Sequence, residues 1–234
     1  MPYMFFDPTM ILLIPPLLLA MWAQMRVKST YARYSQVEVV SGLTGAQVAQ
    51  YILEDAGVEG EHACSIECVE GNLTDHYDPR SQTLRLSQDV YHGQNIAALG
   101  VAAHEVGHAI QDTRSYAPLR LRSFMYPMSS LGSSLAFPIF FVGMFMGPGL
   151  GKVAMTIAIL MFGLSVLFTL VTLPVEFDAS RRALVSLERG NYLNAKELGG
   201  AKKVLSAAAL TYVAAAAMAL MNLVRMILIA QNRR

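Results

Sequence analysis

Asn95-Ile96-Ala97-Ala98-Leu99-Gly100-Val101-Ala102-Ala103-His104-Glu105-Val106-Gly107-His108-Ala109-Ile110-Gln111-Asp112 is the stretch on which the reading of this 234-residue chain turns. Ile96, Leu99, Ala103, Val106 and Ile110 recur at three- and four-residue steps and form one apolar stripe, which predicts a helix over about 95–112. Within that helix His104 and His108 stand four residues apart, on one face, so both imidazoles can reach a single ion. Glu105 lies beside them, where a carboxylate can take a proton from a metal-activated water. In a chain of this length a chance HExxH has a probability below roughly 1 %.

A catalytic zinc usually has three protein ligands and one open position. The longer pattern HExxHxxGxxH requires Gly at 111 and His at 114, and Gln111 and Arg114 exclude it. Asp112 continues the four-residue series, but eight residues of helix place it about 12 Å from His104 along the axis. Further on, Pro174-Val175-Glu176-Phe177-Asp178-Ala179-Ser180 offers two acids. Acids just after a proline are also common in the first turn of a helix, where the dipole favours them. Of the other histidines, His62 and His92 read as surface residues, whereas His76 sits in the polar cluster 72–79. There it has two readings, a substrate or oxyanion contact or only part of a turn.

Composition places this helix in an unusual setting. Hydrophobic residues make up 54 % and charged residues 15 % of the chain, with mean hydropathy +0.40; a soluble domain carries about a quarter charged residues. The net charge of +1 gives no reason to expect a nucleic-acid partner. Charge-free runs lie on either side of an ordinary soluble sequence. Four of them approach the ~20 apolar residues needed to span a lipid bilayer: 8–25, 124–146, 153–173 and 204–224. The first is interrupted by Pro15-Pro16 and reads as a retained, kinked anchor; a secretory signal is disfavoured because Asp7 is its only charge. The second and third form a hairpin about Gly147–Lys152. If that hairpin crosses and returns, Glu176 emerges on the same side as His104 and His108.

The resulting organisation is an N-terminal transmembrane anchor (1–25), a soluble portion with the HExxH helix (26–122) and a transmembrane hairpin (123–174). A connector bearing the acids (175–203) and a C-terminal transmembrane helix with its tail (204–234) follow. In the soluble portion Thr44 and Gln47 form a capping box that opens a helix ending near Gly57. Residues 65–70 and 83–87 read as short strands, the latter as an edge able to hold an extended substrate. Cys64 and Cys68 read as packing residues. Fourteen of the 18 Lys and Arg residues lie in 26–122 and 181–203, which predicts a cytoplasmic catalytic side.

Phe6-Asp7-Pro8, Leu43-Thr44-Gly45, the run Gly71–Pro79, Leu84-Arg85-Leu86-Ser87, Gly100–Gln111 and Leu173–Arg182 together resemble the YugP-like family of membrane-bound neutral zinc metallopeptidases. The resemblance covers nearly the whole chain. It implies a membrane metallopeptidase with metal ligands at His104, His108 and Glu176. With one catalytic Zn2+ there and Glu105 as general base, the expected substrate is a peptide or membrane protein, by geometry and not by the resemblance. More distantly the chain is similar to HtpX-type and CAAX prenyl membrane gluzincins, whose glutamate segment reads E-x-x-A-D. Here Ser180 stands where that acid would fall, and Asp178 is a candidate to support the ligands or contact substrate. The expected fold is α+β, mostly α: a membrane helical bundle of about four spans carrying a zincin-like HExxH core. The alternatives to proteolysis are a zinc-containing membrane scaffold or chaperone and a zinc amidohydrolase acting on a non-peptide.

Overall fold

The computed structural model describes residues 8–58, 60 and 63–232. Asp7, His62, Arg233 and Arg234 lie outside them. Among the described residues the chain runs as α1 (Ile14–Tyr34), α2 (Gly45–Asp55), β1 (Ser65–Val69), β2 (His76–Asp78), β3 (Thr83–Ser87), α3 (Gln88–Tyr91), α4 (Ile96–Thr113), α5 (Ala117–Phe145), α6 (Pro148–Arg189) and α7 (Ala195–Gln231). It is mostly helical, with one small sheet. The chain divides into two compact units.

Of the described residues, the first unit takes in 8–23, 121–173 and 211–232. Among the described residues, four helical segments are long and apolar enough to cross a membrane: Pro8–Tyr34, Ala117–Phe145, Pro148–Arg189 and Ala195–Gln231. Pro15 and Pro16 do not interrupt the first of them. A 3-10 turn over Pro8–Leu13 leads into α1, and both prolines fall in its first turn, where an absent N–H leaves no bond unmade. The expected kink is thereby corrected to a helix start. Large apolar side chains such as Phe124, Phe145, Leu150 and Leu160 face outward, as a lipid environment requires. Inside, α5 and α6 meet through small residues. A Cβ on Gly132 would lie 2.5 Å from the Met161 carbonyl oxygen. Ser165 Oγ donates to the Ser129 carbonyl at 2.8 Å, a close crossing of the kind small and hydroxyl residues permit in apolar surroundings.

The second unit comprises 24–120 and 174–210. Thr44 accepts from the Gln47 N–H while Gln47 Oε1 accepts from the Thr44 N–H, so α2 opens with the expected capping box. Asn95 caps α4 by accepting from the Ala98 N–H at 2.9 Å. Ile96, Leu99, Val106 and Ile110 of α4 are buried against Val48 and Ile52 of α2 and Leu84 and Leu86 of β3. Each such side chain contributes about 1.5–3 kcal/mol by leaving water. The sheet order is β1-β3-β2, with β1 parallel and β2 antiparallel to β3. Thr83–Ser87 is therefore the central strand and not an edge: Thr83, Leu84, Leu86 and Ser87 are all buried, with hydrogen-bonded neighbours on both sides.

Candidate metal centre

The site is assembled from one turn of α4 and one turn of α6. On α4 the His104 and His108 rings meet edge to face with centroids 4.9 Å apart, as the i, i+4 spacing requires. Opposite them stands Glu176, 2 % exposed. Its Oε2 lies 3.3 Å from His104 Nε2 and 3.6 Å from His108 Nε2. One donor atom from each of the three residues falls within 4.8 Å of the other two. Bond lengths of 2.0–2.2 Å to a tetrahedral zinc imply donor–donor separations of about 3.3 Å. Two imidazole nitrogens and one carboxylate oxygen at these distances fit such an ion. Pro174 lies inside the continuous 42-residue α6, so no helix begins there and Glu176 is not a first-turn residue.

Behind the histidines lie two partners that the sequence reading passed over. Gln111, fully buried, takes His108 Nδ1 at 3.0 Å on its Oε1. Its Nε2 donates to the Val175 carbonyl at 2.9 Å and to Asp178 Oδ2 at 3.0 Å. Both of those can only accept, which fixes the amide orientation. His108 Nδ1 must then carry the proton, leaving the Nε2 lone pair toward Glu176. Ser180 Oγ lies 3.1 Å from His104 Nδ1. Gln111 stands three residues after His108 and Ser180 four after Glu176, so helical spacing was the available signal. Asp178 itself is outside the trio of donors: besides Gln111 it accepts from Arg181 and Arg182.

Glu105 Oε2 accepts from the Tyr77 N–H at 3.1 Å, which ties it to strand β2. Removal from water pushes its carboxyl up to about 7; His104 and the Tyr77 N–H oppose that shift, and Glu176 and Asp75 add to it. The Tyr77 hydroxyl donates to Asp112 at 2.9 Å, which accounts for Asp112 away from the donor trio. His76 is exposed on β2, with Nδ1 2.8 Å from the Thr74 carbonyl, and is not brought to the donor trio. His92 is exposed, as expected. Cys68 is exposed too and not packed, while Cys64 is partly buried, which raises its thiol to about 11.

Gly107 explains how α6 comes so near. A Cβ there would sit 2.6 Å from the Ala179 carbonyl oxygen, so the two backbones touch. Replacing a helical glycine by alanine ordinarily stabilises by up to about 1 kcal/mol. Gly107→Ala should instead destabilise by about 1–3 kcal/mol through forced separation of the helices. Thermal melts in detergent would check the sign.

The family described as "Putative neutral zinc metallopeptidase" matches residues 9–231. "Putative membrane protease YugP" of Bacillus subtilis (strain 168) is 45 % identical over 227 residues, which cover 95 % of this chain and 96 % of that protein. No solved structure matches. A family match from residue 9 to residue 231, joined to that identity across nearly both full lengths, makes the chain a member of the neutral zinc metallopeptidase family.

Proposed function

We propose that the chain is a membrane-embedded zinc metalloendopeptidase with a zincin-like core, in which His104, His108 and Glu176 hold one Zn2+ and Glu105 is the general base. The observation that carries this reading is the approach of Glu176 Oε2 to both Nε2 atoms in the turn of α4 that also bears Glu105. Zinc, when bound, lowers the pKa of a water toward neutrality and polarises the substrate carbonyl. Glu105 takes a proton from the attacking water and returns it to the leaving amine. The Tyr77 N–H holds Oε2, which leaves the other carboxylate oxygen to carry the proton. Gln111 and Ser180 orient the ligand imidazoles.

The role of holding an extended peptide passes from β3, which is central, to β2, the strand whose backbone meets Glu105. The four apolar helices support lodging in a bilayer, and the clustering of basic residues in 26–122 and 181–203 supports a cytoplasmic catalytic side. Substrates are then the membrane-proximal segments of other proteins.

The protein purified in detergent should carry one zinc and cleave casein. A chelator should abolish cleavage and added zinc restore it, while protein that binds no metal would overturn the reading. Cleavage should also fall as the solution is acidified, because Glu105 must be ionised to accept a proton. A dication beside it favours the ionised form, so the acidic limb of kcat/KM lies at or below about 7. Residual cleavage by Glu105→Gln that keeps the wild-type acidic limb would remove Glu105 from that role.

A further inference from the structure

Away from the metal ligands, a cavity of about 220 Å³ opens between α2, the C-terminal end of α4 and the last two turns of α6. Four arginines line it: Arg114, Arg181, Arg182 and Arg189. Residues 182, 186 and 189 follow one face of α6 at four- and three-residue steps, so two of these cations are stacked on that face by helical geometry. Arg114 reaches the same space from the C-cap of α4.

Among the described residues, carboxylates do not match this charge. Asp55 is the one acid among the described lining residues, and it already accepts from the Tyr192 hydroxyl at 2.7 Å. Asp178 pairs with both Arg181 and Arg182. Arg114 and Arg189 have no ion-pair partner among the described residues. Arg182 is held in place, with its guanidinium 5.7 Å over the Tyr116 ring and its Nε on Asp178. Four guanidinium groups around one small space give it a positive potential that favours entry of an anion, although water screens the exposed Arg114, Arg181 and Arg189. Guanidinium forks match phosphate oxygens in geometry as well as charge. The rest of the wall is apolar, with Ile52, Ile110 and Val185. A site with cationic and apolar sides suits an amphiphile better than a bare ion.

We infer that this arginine-lined cavity binds a phosphate-bearing anion, the headgroup of an acidic phospholipid in the first instance. It is separate from the metal ligands and does not depend on the reaction proposed above.

The test uses the full-length zinc-loaded protein in a neutral detergent, titrated calorimetrically with three probes: dihexanoyl phosphatidylglycerol, dihexanoyl phosphatidylcholine and inorganic phosphate. Phosphatidylglycerol should bind at least ~10-fold more tightly than either other probe, and Arg114→Ala/Arg189→Ala should lose at least ~10-fold of that affinity. Lys202→Ala/Lys203→Ala removes the same charge from exposed positions of α7 and should stay within about two-fold of wild type. Arg189→Gln alone, at an exposed position, should lose part of the affinity and guards against misfolding of the double variant. Inorganic phosphate binding as tightly, and lost in the same variants, would keep the site and assign it to a soluble phosphate. No saturable binding of any probe, or equal losses in the arginine and lysine variants, would overturn the proposal.

Discussion

Glu105→Gln should lower casein cleavage by about 10³-fold, within the 10²–10⁴ range of a general base, while zinc content stays at one per chain. The substitution keeps the shape of the side chain and its acceptor for the Tyr77 N–H, so the tie to β2 survives. It removes only the capacity to take a proton. Glu105 is not among the three grouped donors, which is why metal content and rate should part company. Metal analysis and cleavage on the same preparation read both. Zinc in both proteins with no cleavage by either would move the protein to the zinc-scaffold reading or to a narrower substrate, and equal cleavage by both would remove Glu105 as the base. Loss of both metal and activity would mean that Glu105 supports the ligands and is no base.

Glu176→Gln should produce the opposite pattern, with zinc affinity and cleavage lost together. Residues that merely support a ligand typically cost 10–100-fold in metal affinity, so loss of the anionic donor itself should exceed about 100-fold. Competition against a chelator of known affinity measures this directly. Tm is read with and without zinc for both proteins, so that any change in the metal-free fold is measured separately from metal binding. What should shrink is the rise in Tm on adding zinc, which follows metal affinity. A variant that keeps wild-type zinc affinity would exclude Glu176 as a ligand.

Local features were legible in the sequence to the extent that they depend on near neighbours. The capping box at Thr44 and Gln47, the α4 stripe and the His104–His108 pairing all rest on contacts within four residues, and each is present. The apolar runs announced long helices, because length and composition decide whether a helix can cross a bilayer. Prolines were harder to read. Pro15-Pro16 marks a helix start and Pro174 lies within a helix; the same residue type permits either outcome depending on where the first turn falls. The place of β3 in its sheet was not legible, since alternation reports burial and not which strands pair on either side.

The sequence by itself determined the pair of imidazoles on one helix face, the adjacent carboxylate and the apolar helices, because spacing along a helix or the composition of a run is enough to specify each. Only the tertiary structure decided the rest of the site. It selected Glu176 over Asp178 to face the histidines, put Gln111 and Ser180 behind them, and joined Glu105 to β2 through Tyr77. Those partners are 28 to 76 residues apart along the chain, apart from the Gln111 contact with His108. They meet because Gly107 lets the backbone of α6 rest against α4, a contact that depends on packing between distant segments and leaves no period in the sequence.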